Sequence, residues 1–231
     1  MNIAIIPARG GSKRIPRKNI KIFAGKPMIS YAIEAAKSSA LFEKIIVSTD
    51  DQEIAEMAVK FGAEVPFMRP PELADDFAGT VPVIAHAIKT CLDLGWQIEN
   101  VCCIYPAVPF IQVKDLKHSF NRLITHGVDF VFSVTEFPSA IQRALKQNLD
   151  GKMHSFYPQY QNIRTQDLEK AYHDAGQFYW GKSEVWISNP HIHQGNLGYV
   201  IPTWRVVDID TPQDWERGER MYSAIYTKVI I

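Results

Sequence analysis

Short apolar segments alternate with amphipathic segments along the first part of the chain. Runs of apolar residues predict buried strands over residues 3–7, 44–48, 100–105 and 128–135. Apolar positions that recur at helical spacing predict helices between them, over residues 27–38, 80–95 and 113–126, with Thr80 capping the second of these. A further helix is predicted to begin at an Asp50 cap and to end at Gly62. This alternation predicts an α/β fold, a mostly parallel sheet with helices on both faces.

The alternation stops at residues 137–172, which are polar and carry Pro138, Gly151 and Pro158. We expect this segment to be an insertion that leaves the core as a hairpin arm. Beyond it, strands are predicted at 177–180, 199–201 and 206–209, and a last helix is predicted to open at Thr211-Pro212. Because no linker or repeat interrupts the pattern, the sequence predicts a single domain over residues 1–231.

The composition is that of a soluble globular protein, with 46% hydrophobic and 22% charged residues among 231. The 25 basic and 25 acidic residues balance, so no global field attracts nucleic acid or a membrane. No apolar run approaches the ~18 residues that span a bilayer, and no signal-peptide pattern opens the chain. The three cysteines form no CxxC pair. These features predict reduced core thiols and a cytoplasmic protein.

The charge is unevenly distributed, since seven basic residues precede Glu34, the first acidic one. Six of the seven lie between Arg9 and Lys21, directly after the first predicted strand and around Gly10-Gly11. Ligands of open α/β sheets bind at the loops after such strands, and glycine lets the backbone approach phosphate oxygens. The segment matches neither the Walker A motif nor GxGxxG, which disfavours a nicotinamide-dependent oxidoreductase. The alternative is a solvated basic loop.

Two carboxylates, Asp208 and Asp210, occupy alternate positions of the predicted strand over residues 206–209 and just beyond it. Residues i and i+2 of a strand face the same way, ~6.5 Å apart, and can share one Mg²⁺ through their hard oxygen ligands. In the alternative, Asp210 caps the following helix and Asp208 faces solvent. If the pair and the cationic loop fold close together, they predict chemistry on a nucleoside triphosphate.

Several segments resemble the cytidylyltransferases that activate nine-carbon acidic sugars. Residues 5–13 (IIPARGGSK) and Lys18-Asn19 resemble the CTP-binding signature of this family. Agreement continues at 46–50 (IVSTD), 69–74 (RPPELA) and 207–211 (VDIDT), so the resemblance covers nearly the whole chain. Residues 141–145 and 172–180 look like the pseudaminic acid branch of the family rather than the sialic acid branch. The resemblance implies a Rossmann-like nucleotidyltransferase fold and a homodimer, in which residues 137–172 form the dimerisation arm.

The resemblance also implies residue roles. Arg9, Ser12 and Lys13 would hold the β and γ phosphates, and Lys18 the α phosphate. The implied CTP-binding residues as a set are Arg9, Gly10, Gly11, Ser12, Lys13, Lys18, Asn19, Arg69 and Thr80, with Asn19 on the ribose and Arg69 reading the cytosine. Asp208 and Asp210 would hold Mg²⁺, and Arg9, Lys18 and Asp208 are the candidate catalytic residues. Candidate sugar-binding residues are Arg143 and Arg164 on the arm, which could act on the neighbouring subunit, and His173, Gln177 and Tyr179.

The predicted reaction is therefore attack of the anomeric hydroxyl of pseudaminic acid on the α phosphate of CTP, with Mg²⁺ assistance, giving CMP-pseudaminic acid and pyrophosphate. One alternative keeps this chemistry on N-acetylneuraminic, legionaminic or an eight-carbon ulosonic acid. A further alternative is a nucleotide-binding protein without catalytic activity. For His173, sugar recognition and a packed pair with Asp174 are both consistent with the sequence.

Overall fold

The computed structural model describes residues 1–189 and 191–226. Its strands and helices, in chain order, are β1 (Asn2–Pro7), β2 (Ile22–Phe23), β3 (Lys26–Pro27), α1 (Met28–Ser39), β4 (Lys44–Ser48), α2 (Gln52–Phe61), α3 (Thr80–Asp93), β5 (Asn100–Ile104), α4 (Val113–His126), β6 (Phe130–Glu136), β7 (Leu145–Gln147), β8 (Met153–Ser155), β9 (Tyr172–Lys182), α5 (Ser183–Ser188), β10 (Leu197–Val200) and α6 (Pro212–Tyr226). Within the described residues, no helix is both long and apolar enough to cross a membrane.

The main sheet has six strands in the order β10-β6-β9-β5-β1-β4. Strand β1 pairs in parallel with β4 and β5, and β6 pairs in parallel with β10. Strand β9 is antiparallel to both of its neighbours. This arrangement confirms the predicted mostly parallel sheet, and it brings the carboxyl ends of β1, β4 and β5 to one edge.

Helices cover both faces of this sheet. Apolar residues of α1, α2 and α4 pack on one face, and those of α3 and α5 pack on the other. The side chains of neighbouring strand residues alternate between the faces, as Cys102 and Cys103 show by joining different clusters. Cys91, Cys102 and Cys103 are buried and free, as the sequence predicts.

A third, smaller core joins parts of the chain that are far apart in sequence. Ile15, from the cationic loop, and Ile209, from between the two aspartates, are 1% and 2% exposed. Both pack in one cluster with Phe23, Met28, Tyr31 and Trp215. Burial of apolar surface is the main favourable term in folding, so this cluster fixes the cationic loop beside the aspartate pair.

Three local predictions are wrong. Residues 206–209 pair with no strand among the described residues, and β10 ends before them at Val200. Asp51 caps α2 through Ile54 N at 3.0 Å, because the Asp50 carboxylate instead accepts a hydrogen bond from Gly10 N at 2.9 Å. Helix α3 is capped by Gly79, because the Thr80 hydroxyl is bonded to the Tyr105 hydroxyl at 2.6 Å.

The segment 137–172 leaves the main sheet between β6 and β9 and contains an isolated two-stranded hairpin of β7 and β8. Large apolar side chains on it are exposed, including Leu145 (60%), Met153 (59%) and Phe156 (55%). The segment is thus a hairpin arm, and its part in dimerisation stays a prediction.

Candidate active site

Two neighbouring clefts open at the edge where β1, β4 and β5 end. The first, of about 650 Å³, lies between the cationic loop and the start of α3. The second, of about 530 Å³, lies between β9 and the segment that carries the two aspartates. Their walls share Lys18, Tyr105, Pro106 and Asp210. Ligands in the two clefts would therefore meet at Lys18 and Asp210.

The first cleft collects most of the residues expected to bind CTP: Arg9, Ser12, Lys13, Lys18, Asn19, Arg69 and Thr80. Gly10 and Gly11 do not line this cleft. The Gly10 N–H already donates a hydrogen bond to the Asp50 carboxylate and so is not free to bind a phosphate. A Cβ at Gly10 would lie 2.8 Å from an Asp51 carboxylate oxygen. Glycine is therefore required at position 10 by packing against Asp51.

Two cations of the loop are held by the segment Asp75-Asp76. Arg9 donates to the Asp75 carbonyl at 2.7 Å and lies 2.8 Å from the Asp76 carboxylate. Lys13 pairs with the same carboxylate, and the two cations hold the pKa of Asp76 below its usual range. Arg9 and Lys13 therefore meet an anion in the free protein, in the cleft where the sequence analysis expects the phosphates.

At the junction of the clefts, the cationic loop and the aspartate pair meet. The ammonium of Lys18 donates to the Ile209 carbonyl at 2.9 Å and lies 3.2 Å from Asp210. Arg14, another cation of the loop, pairs with the other Asp210 oxygen at 2.6 Å. The proximity that the sequence hypothesis required is thus present, across nearly two hundred residues.

Asp208 lines the second cleft and has no hydrogen-bond or ion-pair partner among the described residues. Partial burial of its carboxyl group, followed by the nearby charge of Asp210, raises the pKa of Asp208. The carboxylates of Asp208 and Asp210 offer the hard oxygen donors that Mg²⁺ prefers. No third acidic, histidine or cysteine side chain completes a metal cluster within residues 1–189 and 191–226. A metal here would keep positions for water and substrate oxygens.

Two buried polar side chains form the inner wall of the first cleft. Arg69 is 6% exposed, and its Nε donates to the Ser48 hydroxyl at 3.1 Å. Burial lowers the pKa of Arg69 to about 10. The Asn19 amide donates to the Arg9 carbonyl at 3.0 Å, which leaves Asn19 Oδ1 buried and without a partner in the described chain.

The second cleft is lined by His173, Gln177 and Tyr179, the three sugar-binding candidates on β9. The Gln177 amide donates to the Arg205 carbonyl at 2.7 Å. The Tyr179 hydroxyl donates to Asp174 at 2.8 Å, and His193 Nε2 lies 2.8 Å from the same carboxylate. Asp174 thus organises this wall. The neighbouring His173 contacts the Asp174 main-chain carbonyl, at 2.9 Å from Nδ1, and its ring packs against Phe137 with the ring centroids 4.8 Å apart.

Arg143 and Arg164 lie outside both clefts. The Arg143 guanidinium donates to the carbonyls of Gln161, at 2.8 Å, and Ile163. Arg164 pairs with Asp167 at 2.7 Å. Within one subunit these arginines therefore stabilise the arm, and an action on a neighbouring subunit stays a prediction.

Three residues that line the clefts were not among the predicted site residues, and they share one property. Asp76, Asp174 and Tyr105 act on neighbours that are far away in sequence, such as Lys13, His193 and Thr80. Asp174 lies in a segment that the sequence analysis singled out, and Asp76 carried no comparable signal.

Comparison with known proteins identifies the family. The cytidylyltransferase family matches residues 3–190. The pseudaminic acid cytidylyltransferase of Campylobacter jejuni is 43% identical over 224 residues, which cover 96% of this chain and 97% of that protein. The CMP-N,N'-diacetyllegionaminic acid synthase of Legionella pneumophila is 30% identical over 228 residues, which cover 95% of this chain and 95% of that protein.

Among solved structures, a CMP:2-keto-3-deoxy-manno-octonic acid synthetase complexed with CTP matches with a TM-score of 0.71. It is 16% identical, with 96% of this chain and 98% of that chain covered, and so it supports the fold alone. The fold is that of the Rossmann-like nucleotidyltransferases. With a family match over most of its length and a relative 43% identical across nearly the whole of both chains, the protein belongs to the cytidylyltransferase family.

Proposed function

We propose that this CTP-dependent cytidylyltransferase transfers CMP to pseudaminic acid and releases pyrophosphate. The observation that carries the proposal is the meeting of two clefts at Lys18 and Asp210, one cationic and one lined by mixed polar side chains. The similarity to pseudaminic acid cytidylyltransferases supports the choice of sugar, since it extends over 96% of the chain.

CTP would occupy the first cleft, with its phosphates on the cationic loop. Arg9, Lys13 and Ser12 would hold the β and γ phosphates, and Lys18 would hold the α phosphate at the junction. Arg69 and Asn19, on the inner wall, would contact the base and the ribose respectively. Thr80 lines the same cleft, with its hydroxyl bonded to that of Tyr105. A triphosphate would displace Asp76 from Arg9 and Lys13, exchanging one anion for another.

The acidic sugar would occupy the second cleft, with its anomeric hydroxyl toward the junction. The hydroxyl oxygen forms a bond to the α phosphorus while the bond to the β phosphate oxygen breaks, and pyrophosphate leaves. Both reactants are anionic, so Lys18 must offset their repulsion in the transition state. Asp208 lines the sugar side without a partner and can accept the hydroxyl proton.

Asp208 and Asp210 would together hold Mg²⁺. When bound, the ion supplies Lewis-acid stabilisation of the charge that develops on the phosphate oxygens. Asp210 is paired with Arg14 and Lys18, whereas Asp208 forms no ion pair among the described residues, so the Asp208 oxygens are free to bind a cation.

Pyrophosphate release, measured with CTP and a panel of acids, tests the reaction and the sugar together. The panel consists of pseudaminic, N,N'-diacetyllegionaminic, N-acetylneuraminic and 2-keto-3-deoxy-octonic acids. We expect the largest kcat/KM with pseudaminic acid. Faster turnover of another acid would refute the sugar, and no release with any of them would refute the reaction.

The metal assignment has its own test. Pyrophosphate release should require added Mg²⁺, and Asp208→Asn together with Asp210→Asn should abolish it. The circular dichroism spectrum of the double variant should match that of the wild type, which separates loss of the metal site from loss of the fold. Wild-type turnover in excess chelator would contradict the assignment.

We also propose that the protein is cytoplasmic and that the arm joins two copies into a homodimer, in which each active site contains residues of both subunits. Its exposed apolar side chains, such as Leu145 and Phe156, support a partner surface. Sedimentation should give a dimer, and charged replacements of these two residues should give a monomer of reduced activity. A fully active monomer would contradict the proposal.

A further inference from the structure

We infer that Gln177 Oε1 is a fixed hydrogen-bond acceptor that recognises a neutral N–H or O–H group of the acceptor sugar. Two residues outside β9, Asp115 on α4 and Arg205 after β10, position it. The inference rests on the proposed function, because it names the chemistry by which the second cleft selects its sugar.

The orientation of the Gln177 amide follows from its neighbour. Its Nε2 lies 2.7 Å from the main-chain carbonyl oxygen of Arg205. A carbonyl oxygen can only accept a hydrogen bond, so the NH₂ end of the amide must face it. The oxygen end must then face away, and because Gln177 is 4% exposed, its side chain has little room to turn.

That oxygen is left without a partner. Gln177 Oε1 is buried and accepts no hydrogen bond from the described residues. A buried carbonyl without a donor destabilises the protein, which is a cost that a bound ligand would remove by donating to it. Gln177 lines the second cleft together with Lys18 and Asp208, so the acceptor lies beside the place proposed for the sugar.

The Arg205 carbonyl is itself held in place. The Arg205 guanidinium is buried and pairs with Asp115, whose other carboxylate oxygen accepts from the Tyr199 hydroxyl at 3.1 Å. The Arg205 N–H also donates to the Pro202 carbonyl at 2.9 Å. The ion pair therefore fixes the residue whose carbonyl orients Gln177, and Asp115 and Arg205 are positioning residues.

The polarity of this group limits what it can recognise. An amide oxygen attracts a donor and repels a carboxylate, so Gln177 Oε1 does not bind the acid group of the sugar. It is suited to an amide N–H or a hydroxyl substituent, and acids that lack a donor at the matching position should be rejected.

Binding of pseudaminic acid in the presence of CMP tests the inference without turnover. By calorimetry, Gln177→Met should bind the acid about tenfold more weakly than the wild type, since one hydrogen bond is lost. The KM for CTP should stay within about twofold. Gln194→Met, in an exposed loop outside both clefts, is the matched control. Equal binding by Gln177→Met and wild type would overturn the inference while leaving the proposed function intact, whereas no binding by the wild type would overturn both.

A second measurement identifies the donor. A set of analogues of the acid is used, each lacking one N–H or O–H group. One of them should bind the wild type about tenfold more weakly than the complete acid does, and should bind Gln177→Met with the same affinity as the complete acid. Equal losses in both proteins would contradict direct recognition. If Gln177→Met is unstable, Gln177→Asn keeps the amide but withdraws the oxygen, and weaker sugar binding is again expected. Asp115→Asn should raise the KM for the sugar and not that for CTP; an equal rise in both would refute its positioning role.

Discussion

The buried ion pair between Asp115 and Arg205 gives the sharpest stability prediction. Their side chains are 2% and 3% exposed, and Arg205 Nη1 donates to Asp115 Oδ2. Asp115→Asn preserves size and removes the charge. The Arg205 guanidinium is then left buried without a counter-charge, while the Tyr199 hydroxyl still finds an oxygen acceptor.

The expected cost is large relative to the stability of a domain. Removing one partner of a buried pair costs about 3–5 kcal/mol, out of a total of about 5–15 kcal/mol. For a domain of this size, each kcal/mol lowers the melting temperature by about 2–4 °C. Asp115→Asn should therefore melt about 6–20 °C below the wild type.

Thermal and urea unfolding, followed by circular dichroism, measure this effect. Asp150→Asn is the matched control, because Asp150 pairs with Lys152 at 3.1 Å on the surface of the arm and should melt like the wild type. Replacing both core partners, Asp115→Leu with Arg205→Met, should recover much of the loss, because no unpaired charge remains. A melting temperature of Asp115→Asn within about 2 °C of the wild type would refute the reasoning.

Three further predictions concern the cationic loop and its anchors. Lys18→Met should lower the kcat of pyrophosphate release by about 10²–10³-fold, because it removes a charge that acts on the reacting phosphate. Lys21 lies outside both clefts, so the kcat of the control Lys21→Met should stay near that of the wild type. An increase in the KM for CTP alone, with kcat unchanged, would contradict this role of Lys18. Asp51→Asn should lower the urea midpoint at pH 7. Hydrogen bonding from Arg17 lowers the pKa of Asp51 in the folded protein, so the stabilisation by ionised Asp51 is present above its pKa in the unfolded chain and is lost as the pH falls through its pKa in the folded protein. The difference in urea midpoint between Asp51→Asn and the wild type should therefore vanish well below about pH 4. A difference that persists there would exclude the ion pair as its cause. Asp76→Asn should lower the KM for CTP at low salt, because it frees two cations from a competing carboxylate, and an unchanged KM would argue against that competition.

Much of the architecture could be predicted from local patterns. Buried strands and amphipathic helices have periods that show in the sequence, and Cys102 and Cys103 point to opposite faces for that reason. The predicted strand over residues 206–209 failed because an extended, alternating segment looks the same whether or not a neighbour completes its hydrogen bonds. Asp50 and Asp51 are adjacent and both can cap a helix, so only the position of Gly10 decided between them.

By itself, the sequence determined the types of chemistry present. These are cations and glycines after the first strand, a pair of alternate carboxylates near the end, and a series of segments from one to the other that resemble the cytidylyltransferases of acidic sugars. The tertiary structure decided their relations. Ile15 and Ile209 share one small core, which brings Lys18 to Asp210, and a buried ion pair from α4 orients the amide of Gln177. The chemistry of each side chain can be read from the sequence one residue at a time. Contacts between residues far apart in sequence depend on how apolar surfaces pack, and this packing is fixed only when the whole core forms.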